Sequence, residues 1–318
     1  MGLCGLLTLA VYASSLSGWY VYEDVPQGDF SAWPGLWASL LGLFSTPVGF
    51  VQIQSVQLTG VLSGFDPWWA RVVSLGWHLG NGLLLWRVAR RVLAPWGAVL
   101  AAAVFWLHPL QTEAVAYVSA RPDLVITTWT LVAMLAVRRP WLACLCAALA
   151  VTGKEAGVVA LALVPLWAWW TRAGWTRRTG LLWAAGVIVL GWLAWPLVAG
   201  RLAFSVDWTM TALTGVWRLL ALVVVPLGQT IEHDWTGMAP GLVLLGGMAW
   251  AVVLAWWVDA RRTALGFALA WVVVALAPRL LLDLTWAGGW LHERHFYLPM
   301  VGISLACGAL VAKDTTDG

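Results

Sequence analysis

The residues best suited to chemistry lie in one short segment of an apolar chain, residues 105–123. This segment holds His108, Glu113, Arg121 and Asp123. Imidazole and carboxylate groups can transfer protons, and an arginine can stabilise a phosphate or another anion. Charged side chains are costly in an apolar setting, so their concentration here indicates a functional site.

Other polar clusters are expected to meet this segment on one face of the protein. They follow apolar runs at four places along the chain: Glu23-Asp24, Lys154-Glu155, residues 232–234 and residues 292–295. A solvated outer surface would also collect such residues. Acidic residues have little influence on how a chain inserts into a membrane, however, so insertion does not require them to accumulate on one face. Their accumulation there favours a polar site.

Composition predicts the class of protein before any motif is considered. Of 318 residues, 61% are hydrophobic and 10% are charged, and 27 are tryptophan, which is typical of an all-α polytopic membrane protein. The net charge is +3, and the basic residues are interpreted as signals for orientation in the membrane. No nucleic-acid partner is therefore expected. The cysteines lack CxxC spacing and are interpreted as packing residues: Cys4, Cys144, Cys146 and Cys307.

The apolar runs predict a single integral membrane domain over residues 1–318, with about 10–11 transmembrane helices and no soluble domain. Met1 to Ser17 is interpreted as a retained first helix, and residues 19–70 as a long first outer loop carrying interfacial helices. Residues 218–228 are interpreted as a half-helix or a re-entrant element. The predicted helices lie near residues 1–18, 71–88, 96–108, 123–137, 140–152, 156–170, 179–199, 240–258, 263–282 and 296–312.

Basic residues predict the orientation of these helices. They fall in turns on one side, which the positive-inside rule makes cytoplasmic, together with the C-terminus. The polar clusters then face the periplasm or the cell exterior, and the composition is that of a bacterial inner-membrane protein. The basic residues are Arg87, Arg90, Arg91, Arg138, Arg139, Arg172, Arg177, Arg178, Arg261, Arg262 and Lys313.

Several motifs occur in an order that resembles one known family. They are Glu23-Asp24, His108-Pro109-Leu110-Gln111-Thr112-Glu113-Ala114-Val115, Lys154-Glu155 and Glu293-Arg294-His295-Phe296-Tyr297-Leu298-Pro299, with His78 and Asn81 in a His-x-x-Asn pattern. This set resembles the GT-C superfamily of polyprenyl-phosphate-sugar glycosyltransferases. The similarity is greatest to the transmembrane core of the transmembrane-and-tetratricopeptide-repeat O-mannosyltransferases, here without repeats and with Glu-Asp in place of Asp-Asp.

The resemblance implies a GT-C-like helical bundle and transfer of a hexose, with inversion, to an acceptor outside the cytoplasm. Such a reaction needs a base for the acceptor hydroxyl and cations for the departing phosphate. Asp24, with Glu23 beside it, is the candidate base. Arg294 is the first candidate for the donor phosphate, with Lys154 and Arg121 as rivals.

The remaining polar residues are expected to support these groups. Glu113 is expected to orient Arg121 or Lys154, and a continuing helix would place His108 and Thr112 one turn apart. No cofactor is expected, and a divalent metal ranks low because no ligand spacing supports it. The supporting residues are His78, Asn81, His108, Glu113, Asp123, Glu155, His292 and Glu293.

Two other functions are compatible with the motifs. The chain could be a catalytically inactive GT-C-like accessory or structural subunit of a larger membrane complex, as its altered acidic pair and many tryptophans suggest. It could also be a lipid-linked transporter or flippase, although its charges gather at one face rather than at the bilayer midplane. The expected partners are a lipid-linked sugar donor, membrane lipids, an unidentified acceptor and other membrane proteins.

Overall fold

The computed structural model describes residues 1–19, 59–60, 62–64, 66–187, 220–227, 263–283 and 292–311, with the backbone alone at residue 155 and residues 278–283. The described residues are mostly helical and contain no β-strand, which confirms the all-α class. The helices are α1 (Gly2–Leu16), α2 (Pro67–Ala89), α3 (Pro95–Leu107), α4 (Thr112–Ala116), α5 (Arg121–Leu135), α6 (Pro140–Gly153), α7 (Ala160–Trp170), α8 (Ala264–Asp283) and α9 (Pro299–Val311).

Short 3-10 turns and further helical residues, at 59–60, 62–63, 177–187 and 220–224, complete the described elements. The turns are Pro109–Gln111, Val118–Ala120, Glu155–Val159 and Glu293–Phe296. Residues 177–187 are helical and correspond to the start of the helix predicted near 179–199. The helix predicted near 240–258 lies outside the described residues.

Prolines determine where several helices begin. Pro67, Pro95 and Pro140 each occupy the first turn of a helix, where the missing N–H has no helical partner to lose. At α2 the carboxylate of Asp66 also accepts a hydrogen bond from the main-chain N–H of Trp68 at 2.8 Å. Helix α2 therefore begins four residues before the predicted start, inside the segment that we assigned to the outer loop.

The helix before the polar segment does not continue through it. Helix α3 ends at Leu107, and His108 has an extended backbone (φ −70°, ψ 125°). Pro109 disfavours a helical conformation at the residue before it, so the helix does not continue and the one-turn spacing of His108 and Thr112 that a continuing helix would give does not occur. No described helix is by itself both long and apolar enough to cross a membrane. Helix α3 and residues Pro109–Ala116, bent by 54°, meet that test together.

The helices form a bundle in which some backbones nearly touch. Helix α2 packs against α3 and α5, α5 packs against α6, and α9 packs against α3 and α8. A Cβ on Gly308 of α9 would lie 2.4 Å from the carbonyl oxygen of Gly97 of α3, so this crossing requires a glycine. The largest fully buried side chains in the core include Trp106, Trp167 and Trp271.

The bundle has two chemically different ends. At one end Arg91, after α2, donates hydrogen bonds to the carbonyls of Met134 (3.1 Å) and Leu135 (2.8 Å) at the end of α5. The indole of Trp175 donates to the Val137 carbonyl at 2.8 Å, so the basic turns around 87–91, 138–139 and 172–178 share this end. The polar segment 105–123 lies at the other end.

Candidate functional site

His108 holds the bend that begins the polar segment. Its Nδ1 accepts a hydrogen bond from the main-chain N–H of Leu110 at 3.2 Å. Its Nε2 lies 2.9 Å from the carbonyl oxygen of Val223, and because a carbonyl only accepts, Nε2 carries the hydrogen. The ring therefore ties the turn Pro109–Gln111 to residues 220–227.

Glu113 forms the principal ion pair of the site with Arg294, which lies far away in the sequence. Its Oε1 accepts from the Arg294 Nη1 at 3.0 Å, and its Oε2 accepts from the Arg294 main-chain N–H at 2.8 Å. The guanidinium also lies 5.1 Å from the centre of the Tyr117 ring. We had expected Glu113 to orient Arg121 or Lys154, so the described contacts correct its partner to Arg294.

The environment of Glu113 makes its carboxyl group unusually basic. Burial raises the pKa of Glu113 from 4.5 to about 7. The positive charge of Arg294 and the hydrogen bond from its main-chain N–H oppose that rise, whereas the negative charges of Glu293 and Asp123 add to it. A carboxyl group with such a pKa can exchange a proton near neutral pH.

This raised pKa predicts how stability changes with pH. Between pH 4.5 and about 7 the folded protein keeps a proton on Glu113 that the unfolded chain releases, so stability falls as pH rises through this window. The loss amounts to roughly 3 kcal/mol at about 1.4 kcal/mol per pH unit. We expect unfolding free energies of the wild type to show this loss and those of Glu113→Gln to lack it. Parallel curves would refute the raised pKa.

Asp123 and Lys154 form a second ion pair at the same end of the bundle. The Lys154 Nζ lies 3.2 Å from both carboxylate oxygens of Asp123, which joins the end of α6 to the first turn of α5. Side-chain exposure is 18% for Lys154 and 6% for Asp123, so the cation is the more accessible partner. Only the backbone of Glu155 is described.

Arg121 is in a different environment from the other two predicted phosphate-binding cations. It is fully buried, and its Nη2 donates to the carbonyl of Ala70 at 2.8 Å. Its other nitrogens bond the hydroxyls of Ser74 (3.3 Å) and Thr59 (3.2 Å). These contacts hold the start of α5 against α2, whereas Arg294 and Lys154 remain partly accessible at the surface of the site.

His78 and Asn81 lie in a buried polar network beneath the ion pairs. The Tyr297 hydroxyl is 2.9 Å from His78 Nδ1 and accepts a hydrogen bond from Asn81 Nδ2 at 3.1 Å. Asn81 Nδ2 also donates to the Leu124 carbonyl, and His78 Nε2 bonds the Trp106 carbonyl. The network joins α2, α3 and α5 to the chain just after Arg294.

The turn Glu293–Phe296 carries the remaining predicted residues. The main-chain N–H of His292 donates to His295 Nδ1 at 3.1 Å, and Glu293 is buried. Glu23, Asp24 and residues 232–234 lie outside the described residues. Among the residues that are described, no three His, Cys, Asp or Glu side chains form a group able to hold a metal ion.

The structure adds residues that the sequence did not indicate. Tyr297 is within a quoted motif but carried no assigned role, and Ser74 and Arg71 are single polar residues in an apolar helix. These polar residues could have been noticed in the sequence, because a polar group placed in an apolar helix is costly unless it has a hydrogen-bonding partner. That cost does not identify the partner.

Comparison with known proteins gives one relationship. Over 137 residues the chain is 34% identical to the protein O-mannosyl-transferase Tmtc2 of Drosophila melanogaster, an alignment that covers 38% of this chain. The chain is mannosyltransferase-like over that stretch. It spans only 15% of the length of that relative. No family model matches the chain, and no solved structure matches it.

Proposed function

We propose that this protein is a GT-C type membrane glycosyltransferase that moves a hexose from a polyprenyl-phosphate donor to an acceptor on the non-cytoplasmic face. The observation that carries the proposal is the presence of two partly exposed cations, Arg294 and Lys154, at the same end of the bundle, each in its own ion pair. Each is held by a nearly buried carboxylate, and the motifs that supply them are separated in sequence. The similarity to an O-mannosyl-transferase supports the reaction class.

In the proposed reaction the cations bind the phosphate that departs from the sugar. Arg294 donates to its oxygens with support from Glu113, and Lys154 adds a second positive charge with support from Asp123. Asp24, assisted by Glu23, removes the proton from the acceptor hydroxyl, whose oxygen forms the new bond to the anomeric carbon. The bond to the phosphate breaks on the opposite side, which inverts the anomeric centre.

The distribution of side chains supports the membrane part of this proposal. Large apolar residues are exposed on the helices, among them Leu3, Leu6 and Trp141. Charged residues such as Arg71 and Glu293 are buried instead. An apolar exterior with charged side chains kept inside the bundle is the arrangement that lipid favours. We propose that the polar end faces the periplasm of a bacterial inner membrane, without a required metal or cofactor.

Loss of the Arg294 side chain is expected to weaken use of the donor. One charge-assisted contact contributes roughly 1.5–3 kcal/mol, so Arg294→Ala should raise the apparent donor KM about tenfold to a hundredfold. The assay is transfer by purified protein across a panel of polyprenyl-phosphate sugars, with release of the free lipid phosphate as the readout. Arg90→Ala, at the basic end, is the control and should leave donor use unchanged.

The same assay separates this function from the alternative of an accessory subunit. That alternative is favoured by the acidic pair, which is Glu23-Asp24 here and two aspartates in the family that the chain resembles. Transfer that depends on Arg294 supports an enzyme. No transfer with any donor, together with a membrane protein that copurifies at fixed stoichiometry, would establish the accessory role. Transfer with an unchanged donor KM in Arg294→Ala would move the phosphate contact to Lys154.

A further inference from the structure

Arg71 makes contacts that neither the motifs nor the proposed reaction explain. It lies in the first turns of α2 and is 4% exposed. Its Nη1 and Nη2 donate hydrogen bonds to the carbonyls of Gly18 and Trp19, just after α1. Its Nε donates to the carbonyl of Ala116, the last residue of α4, at 3.1 Å.

Ala116 is the last residue of α4, whereas Gly18 and Trp19 lie two and three residues after the end of α1. Main-chain carbonyls that lack a helical partner need another donor, and Arg71 supplies one to each of the three. The guanidinium has donors that point in several fixed directions in one plane and can reach both chain segments at once. Arg71 therefore joins the end of α1 to the end of α4.

Each segment that Arg71 joins leads to a part of the proposed site. Helix α4 carries Glu113, which bonds both the main chain and the side chain of Arg294. Trp19 is the point at which the chain enters the first outer loop. In the sequence Trp19 precedes Glu23 and Asp24 by four and five residues.

We infer that Arg71 is a positioning residue that fixes the entry of the first outer loop relative to the Glu113–Arg294 ion pair. This inference rests on the proposed glycosyltransferase function. Arg71 does not touch the donor or the acceptor. It holds the segment that leads to the candidate base at a set distance from the cation that binds the phosphate, so its loss affects the geometry of attack more than the affinity for donor.

The first test measures transfer by Arg71→Gln, which keeps polar atoms but loses the charge and the planar set of donors. A displacement of about 1 Å can cost on the order of 100-fold in rate, so we expect kcat to fall by about that factor while the donor KM stays within about twofold. Arg90→Gln is the matched control, because Arg90 lies at the opposite end and should leave both constants unchanged. An unchanged kcat, or a change confined to KM, would overturn the inference.

The second test does not depend on activity. Spin labels at Ser17→Cys and Ala116→Cys, in a background with the four native cysteines replaced, report the separation of the ends of α1 and α4. We expect one narrow distance distribution with Arg71 and a broad or shifted one with Arg71→Gln. An unchanged distance distribution would refute the connection that Arg71 makes between α1 and α4, even if transfer is impaired. If the unaltered protein transfers no sugar, the glycosyltransferase proposal and the catalytic role of Arg71 fail together, while these distances still decide whether Arg71 joins the two ends.

Discussion

Asp24→Asn is expected to lower sugar transfer by roughly 100- to 10,000-fold, the range that loss of a general base produces. The acceptor hydroxyl must lose its proton as its oxygen attacks the sugar, and the amide of asparagine cannot take that proton. Asparagine has nearly the same size as aspartate, so we expect the protein to insert into membranes and to unfold at nearly the same temperature. The measurement is the single-turnover rate with saturating donor and acceptor.

Glu23→Gln is the matched control for this experiment. It removes the neighbouring carboxylate by the same chemical change, and if Asp24 is the base it should reduce the rate far less. A variant in which Glu23 matters and Asp24 does not would exchange the two roles. Transfer at the unaltered rate in both variants would remove the pair from the base function.

Gly157→Ala is expected to destabilise the protein by at least about 3 kcal/mol, at the upper end of what overpacking costs. A Cβ at this position would lie 2.0 Å from the carbonyl oxygen of Ala150. That neighbour is backbone, so no side chain can rotate away, and the turn Glu155–Val159 would have to lift from α6. Denaturant unfolding of the purified protein measures the effect.

Gly180→Ala makes the same chemical change where there is space. Nothing lies within 4 Å of a Cβ at Gly180, which is exposed in the helical residues 177–187. Alanine is favoured over glycine in such a helix by up to about 1 kcal/mol, so this variant should be as stable as the wild type or slightly more so. Equal effects of the two substitutions would contradict the close approach at Gly157.

The displaced turn should also alter the site. Lys154 immediately precedes it, and the Gly157 main-chain N–H donates to the Lys154 carbonyl at 2.8 Å. We therefore expect Gly157→Ala to disturb the contact between Lys154 and Asp123. This one methyl group therefore affects both stability and the site, because the turn packs on α6 and the residue just before it supplies a cation.

Periodicity and prolines predicted most described helices to within a few residues. The run near 140–152 became α6, because Pro140 marks its start and lysine with extended backbone follows Gly153. The start of α2 was missed because Asp66 and Pro67, a strong helix-start signal, were read as part of the outer loop. The helix end predicted near residue 108 agrees with the end of α3 at Leu107.

Among the described residues, the sequence singled out Glu113, Arg294 and Lys154 but did not indicate how they pair. Glu113 and Arg294 are separated by 181 residues, so no helical spacing could join them. Sequence neighbours did not indicate the environment of Arg121 either. We had predicted it as a rival cation for the donor phosphate, but its side chain is buried against α2. Pairing depends on how helix ends meet in three dimensions, which local patterns do not encode.

The hydrogen bonds of His108 limit how this polar segment can be engineered. Both ring nitrogens are engaged, one by the Leu110 N–H and the other by the Val223 carbonyl. The ring therefore cannot take up a substrate proton or coordinate a metal ion without releasing one of the segments that it bridges. The imidazole holds these two segments at a fixed separation. A shorter amide such as asparagine could replace only the hydrogen bond to the Leu110 N–H. Redesign of the site should therefore leave His108 in place while varying the carboxylates around it.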